Sequence, residues 1–112
     1  MIRKTGQTIL LVGSDETLTY LLGRFAEKSN CMLAVRPSIN SVQEITEINP
    51  KAIIFLSMEY LADTHAIMAE LTGLETQIIV CSAIGEESRA RAFGADHCLF
   101  HPITLDGFQA AL

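Results

Sequence analysis

The sequence predicts an α/β fold, a doubly wound three-layer sandwich in which one parallel sheet lies between two layers of helices. Three observations predict it. The runs Ile9-Leu10-Leu11-Val12, Ala52-Ile53-Ile54-Phe55-Leu56 and Ile78-Ile79-Val80-Cys81 are apolar without alternation, the pattern of strands covered by helices on both faces. Helical periodicities fill the gaps, so that strand and helix alternate five times. The 112 residues are 49% hydrophobic and 19% charged, which suits one domain with a single core and is too little for two.

The elements follow in order. Residues 1–7 are a polar lead-in, and Ile9 to Val12 make the first strand. Leu18, Leu21, Leu22 and Phe25 keep i, i+3, i+4, i+7 spacing, which predicts the first helix, with Ser14 or Asp15 as its N-cap. Cys31 to Arg36 is a weaker second strand. Ser41-Val42-Gln43-Glu44 reads as a capping box that opens a second helix, with Ile45 and Ile48 on one face. After the third strand (52–56), Leu61, Met68 and Leu71 mark a third helix that Gly73 stops. After the fourth strand (78–81), Glu86 to Phe93 form a short fourth helix ended by Gly94. His97 to Phe100 is the fifth strand, and Thr104 starts a fifth helix that the chain end can cut short.

Charge and composition exclude several classes. The formal net charge is -5, and the basic residues Arg3, Lys4, Arg24, Lys28, Arg36, Lys51, Arg89 and Arg91 are scattered. No stripe exists to follow a phosphate backbone, so direct contact with nucleic acid is not expected. Cys31, Cys81 and Cys98 are odd in number and lack CxxC spacing, against a disulfide framework or zinc site. They fit small apolar core residues of a reducing cytosol, and Met32, Met58 and Met68 fit core gap-fillers. The longest apolar runs are far short of the ~20 residues of a membrane helix, and no signal peptide is visible, so a cytoplasmic chain without a membrane partner is expected. His97 and His101 are spaced like a helical pair, but Pro102 and the apolar residues between them favour a strand end over a metal site. GxGxxG, GxxxxGK[ST] and GxSxG are all missing.

The segment Gly94-Ala95-Asp96-His97-Cys98-Leu99-Phe100-His101-Pro102 resembles the end of a response-regulator receiver domain. In that family a Gly-Ala-Asp turn enters the last strand, which closes in Lys-Pro. The likeness runs over residues 8–112. It implies a flavodoxin-like (βα)5 fold with a five-stranded parallel sheet in the order 2-1-3-4-5, a cis His101-Pro102 bond, and a place in two-component or phosphorelay signalling.

The functional positions of the family depart from its pattern. The acidic pair that holds Mg²⁺ matches Gly13 and Ser14, which offer no carboxylate to a cation that demands hard oxygen ligands. Asp15 follows, where the first helix begins, and reads as its N-cap. The phosphoacceptor aspartate matches Leu56, or Ser57 with a one-residue slip. Glu59 lies further along the loop, Tyr60 replaces the loop's usual proline, and Asp63 matches a common acidic position. The switch hydroxyl is kept as Ser82, followed by Ala83. The switch aromatic falls on Cys98. His101 replaces the phosphoryl-contacting lysine, and an imidazole is a poor substitute for a flexible ammonium. Between Ser82 and Gly94 the chain is about three residues shorter than the family's, nearly one turn of the fourth helix.

A degenerate phosphorylation site at Gly13, Ser14, Leu56, Ser82 and His101 is therefore expected, with no catalysis, metal or cofactor. Such a domain acts through contact with a partner protein or a fused output domain. The expected face is the fourth helix, fifth strand and fifth helix, around Arg89, Arg91, Phe93, Cys98, Phe100 and Leu105, with homodimerisation as an extension. The alternative is a small anionic-ligand or nucleotide module that uses the emptied site, since a strand-to-helix turn such as Gly13-Ser14-Asp15 favours anions.

Overall fold

The computed structural model describes residues 7–112, so the lead-in, apart from Gln7, lies outside the described residues. The strands are β1 (Thr8–Val12), β2 (Met32–Arg36), β3 (Ala52–Phe55), β4 (Gln77–Ser82) and β5 (His97–Phe100). They form one parallel sheet in the order β2-β1-β3-β4-β5, as the resemblance implied. Helices α1 (Glu16–Lys28) and α6 (Leu105–Ala111) cover one face. Helices α2 (Val42–Ile48), α3 (Met58–Asp63), α4 (Met68–Leu71) and α5 (Glu87–Ala92) cover the other.

The unalternated runs are explained by where alternate residues go. Ile9, Leu11, Ala52, Ile54, Ile79 and Cys81 pack under α1 and α6. Leu10, Val12, Ile53, Phe55, Ile78 and Val80 pack under α2 to α5. Both faces of the three central strands are buried, and each buried Leu, Ile, Val or Phe is worth about 1.5–3 kcal/mol against exposure.

Capping chemistry sets the helix starts. Asp15, not Ser14, caps α1: its Oδ1 accepts from Leu18 N at 2.9 Å. Ser41 Oγ accepts from Glu44 N at 3.5 Å, but Glu44 Oε1 accepts from Asn40 N at 3.1 Å, so the return bond reaches one residue further back than a capping box requires. Thr104 Oγ1 accepts from Gly107 N at 3.0 Å and starts α6.

Three expectations need correction. The third helix is not continuous. Thr64 is buried, its hydroxyl donates to Tyr60 O at 2.9 Å, and its N–H turns to Leu61 O at 3.1 Å. This competing bond ends α3, a 3₁₀ turn (His65–Ile67) follows, and α4 resumes at Met68. Leu61, Met68 and Leu71 still meet in one core. Second, Met32 fills no core gap: it is 59% exposed because β2 is the sheet's edge. Third, only Cys81 among the cysteines is buried, while Cys31 and Cys98 are half-buried at the margins of the two cores. Burial, with the charge of Asp15 adding to it, pushes the Cys81 thiol up to about 12.

The Gly-Ala-Asp turn has a mechanical reason. Gly94 sits at φ +110, where a Cβ would lie 2.9 Å from Met68 Cγ, so this close approach needs glycine. Ala95 N donates to Ala90 O at 3.1 Å. Asp96 then clamps the start of β4, its N–H donating to Ile78 O at 2.7 Å and its Oδ2 accepting from Ile78 N at 2.8 Å. Before it, a 3₁₀ turn (Ile84–Glu86) leads into α5, which has six residues. The His101-Pro102 bond is cis.

Candidate functional site: a filled corner at the carboxyl end of the sheet

The parallel strands bring the expected site residues to one end of the sheet. β1 passes directly into Gly13, whose N–H donates to Arg36 O at 2.9 Å and ties the turn to the end of β2. Gly13 has φ +135, and a Cβ built there would meet Tyr60 Cε2 at 2.6 Å, Tyr60 Cδ2 at 2.8 Å and Leu56 Cβ at 3.1 Å. The Tyr60 ring thus lies flush against the backbone at the end of β1. Its hydroxyl accepts from Ser14 N at 3.1 Å and donates towards Ser14 O at 3.5 Å. One side chain from the first turn of α3 therefore crosses from the β3 loop to the β1 loop and touches both cores.

Leu56 follows β3 directly. Its N–H donates to Val12 O at 2.9 Å, and its side chain is buried in the α1–α6 core. At the matching acceptor position the structure therefore places a buried hydrocarbon. Ser57 is the N-cap residue of α3 but makes no side-chain capping bond, and its buried Oγ has no hydrogen-bond partner among the described residues. Ser82, the last residue of β4, is 3% exposed, and its Oγ is likewise unpartnered. The Ser82 hydroxyl lies beside the Cys98 thiol.

His101 joins the site through its backbone, its N–H donating to Ser82 O at 3.3 Å, while its side chain is exposed. Burial pushes the Cys98 thiol up, and the Ser82 hydroxyl and Arg91 oppose part of that push.

The donor set does not fit Mg²⁺. Gly13 brings no side chain, both backbone groups of Ser14 are held by Tyr60, and Asp15 is engaged as a cap. Glu59 is exposed on α3. Among the described residues no group of three or more His, Cys, Asp or Glu could hold a metal ion. Sequence reasoning named Tyr60 only as a lost proline and missed its place. The usable signal was paired: a site lost its side chain at Gly13 and gained a large one at Tyr60, and close packing leaves little void.

The expected contact face differs in character from what its sequence suggests. Arg89 is exposed with its guanidinium 5.9 Å from the centre of the Phe93 ring. Arg91 pairs with Glu87 at 3.2 Å and donates to Asp96 O at 2.8 Å. Phe93 and Cys98 pack on the α2–α5 core, while Phe100 and Leu105 are half-buried. None of the six is a strongly exposed apolar residue; nearby, only Ile84 is. Among the described residues no helix is long and apolar enough to cross a membrane.

The fold defines the architectural class: the five-stranded parallel sheet in the order β2-β1-β3-β4-β5, with helices on both faces, is the architecture of response-regulator receiver domains. Solved structures agree on the fold. The N-terminal domain of the nisin resistance regulator NsrR, a lantibiotic response regulator, matches with TM-score 0.70 at 24% identity, over 96% of this chain and 94% of that one. The BeF3-activated N-terminal receiver domain of Klebsiella pneumoniae RstA matches with TM-score 0.73 at 13% identity, over 92% of each chain. Full-length FixJ from B. japonicum matches with TM-score 0.69 at 12% identity, over 96% of this chain and 56% of that one. No family model and no curated protein matches the sequence.

Proposed function

We propose that residues 1–112 form a single receiver-type signalling module that takes no phosphoryl group and acts by protein contact, with a partner or with an output domain fused to it. The observation that carries this reading is Tyr60, which fills the corner at Gly13 and binds both backbone groups of Ser14. An acyl phosphate needs a carboxylate, and Leu56 and Ser57 supply none. The module is neither an enzyme nor a nucleic-acid binder, and its setting is the cytoplasm. Its contact face is α5, β5 and α6, where the free edge of β5 and the shortened α5 give a surface unlike that of a longer-helixed receiver. The anionic-ligand alternative finds less support, because the corner it needs is occupied from within the chain.

The test is amide NMR during titration with Mg²⁺ and beryllofluoride, a mimic of aspartyl phosphate, and then with inorganic phosphate. Unchanged resonances at Gly13, Ser14, Leu56, Ser82 and His101 are expected in all of them. Saturable shifts with beryllofluoride would mean a rewired acceptor; shifts with phosphate alone would restore the ligand reading.

A further inference from the structure

Among the described residues four large apolar side chains stand exposed, and three of them flank β2: Tyr20 at 66%, Met32 at 59% and Val35 at 39%. Among the described residues β2 is also an open edge of the sheet. Its pairing with β1 is anchored by Met32 N donating to Gln7 O at 2.8 Å and by Arg36 O accepting from Gly13 N at 2.9 Å. In a parallel ladder this turns Met32, Ala34 and Arg36 towards β1 and leaves the N–H and C=O of Leu33 and Val35 facing outward. One of those four groups is engaged locally, as Arg36 Nη1 donates to Val35 O at 2.9 Å. The other three have no protein partner among the described residues.

We propose that this edge is a self-association surface, on which two copies pair their β2 strands antiparallel about a two-fold axis at Ala34. The edge is self-complementary in three ways. First, with Ala34 opposite Ala34, Leu33 of each copy lies opposite Val35 of the other. The outward donors and acceptors then form four reciprocal hydrogen bonds, and Arg36 gives up the Val35 carbonyl to the incoming strand. Second, α1 carries a matching flank: Thr19, Tyr20, Gly23 and Arg24 line shallow grooves of about 720 and 350 Å³ beside Val35 and Leu33. Gly23, with Leu33 beneath it, lets a second helix come near. Third, the charges reverse along α1. Its N-terminal end carries Asp15 and Glu16; its C-terminal end carries Arg24 and Lys28, with Glu27 already paired to Arg24 at 3.5 Å. Tyr20 lies level with Val35 and Gly23 with Leu33, so α1 runs antiparallel to β2. A two-fold axis at Ala34 therefore sets the acidic end of each α1 against the basic end of the other. Such an isologous contact closes on itself, covers both exposed edges and joins two five-stranded sheets into one. It does not depend on the state of the phosphorylation corner.

Sedimentation velocity of the whole chain from micromolar to millimolar concentration is the first measurement, and a reversible monomer–dimer equilibrium is expected. Register is tested with Ala34→Cys. Non-hydrogen-bonded antiparallel pairs hold their Cα atoms about 4.5 Å apart, within disulfide reach. Mild oxidation should therefore give a reducible covalent dimer. Arg36→Cys, whose counterpart would lie about 13 Å away along the strands, and the parent with its native cysteines should not. Val35→Pro deletes an outward N–H without touching the ladder to β1, and should abolish the dimer while the folded circular-dichroism spectrum persists. A chain that stays monomeric with no Ala34→Cys cross-link overturns the proposal. So does a dimer that survives Val35→Pro and cross-links through Arg36→Cys as readily as through Ala34→Cys.

Discussion

Gly13→Ala is the most direct probe of the filled corner. Two costs combine at this position. The backbone is at φ +135, where a side-chain-bearing residue is strained by about 1–3 kcal/mol. The new methyl would also stand 2.6 and 2.8 Å from two ring carbons of Tyr60. Ordinary contact is about 3.5–4.0 Å, so the ring must move, and such overpacking costs about 1–3 kcal/mol. Together the loss is about 2–6 kcal/mol, a large share of the ~5–15 kcal/mol that holds a domain folded. At ~4 °C per kcal/mol, the midpoint falls by about 8–24 °C. Urea unfolding followed by circular dichroism gives the free energy directly. The decisive step is to repeat Gly13→Ala in a Tyr60→Ala background. Without the ring the backbone strain and the 3.1 Å approach to Leu56 Cβ remain, so the cost of the glycine change should fall by about 1–3 kcal/mol, a coupling that a double-mutant cycle isolates. An equal cost in both backgrounds would show that the ring does not rest on Gly13. A cost below ~1 kcal/mol would refute both parts of the reasoning.

Two further outcomes follow from single groups. Asp15→Ala should destabilise the chain by about 1 kcal/mol in urea unfolding, while Asp15→Asn, which can still accept from Leu18 N, should cost much less; equal losses would mean that the charge and not the cap matters there. Cys81 has its folded-state pKa raised from 9.0 to about 12 by burial. The unfolded chain therefore releases this proton first as pH rises. Stability is unaffected by Cys81 below pH 9 and falls between about 9 and 12, by at most about 1.4 kcal/mol per pH unit. Cys81→Ala should flatten that alkaline slope, and an unchanged slope in the variant would show that the thiol is not shielded.

Much of the architecture was legible because the signals were local or periodic. Short, β-branched, unalternated apolar runs fit strands with two covered faces, and Asp15, Ser41 and Thr104 marked helix starts through the bonds they make to nearby N–H groups. The third helix was misread because its apolar spacing is real while the break at Thr64 is made by one hydroxyl choosing a carbonyl. Met32 was misplaced because composition does not say which strand is an edge. Tyr60 was underread because its partner, Ser14, is 46 positions away in sequence.

The sequence by itself determined the fold class, the alternation of elements and the loss of every carboxylate from the matching metal and acceptor positions. Those follow from residue identity, from short unbroken apolar runs and from the 3.6-residue helical period, all of which a short window contains. Only the tertiary structure decided what stands in the place of the lost groups and where apolar surface is left open. Both depend on which loops converge at the end of a sheet and which strand lies outermost, and these are set by the crossing of distant segments under close packing, where a missing side chain at Gly13 admits a ring from Tyr60.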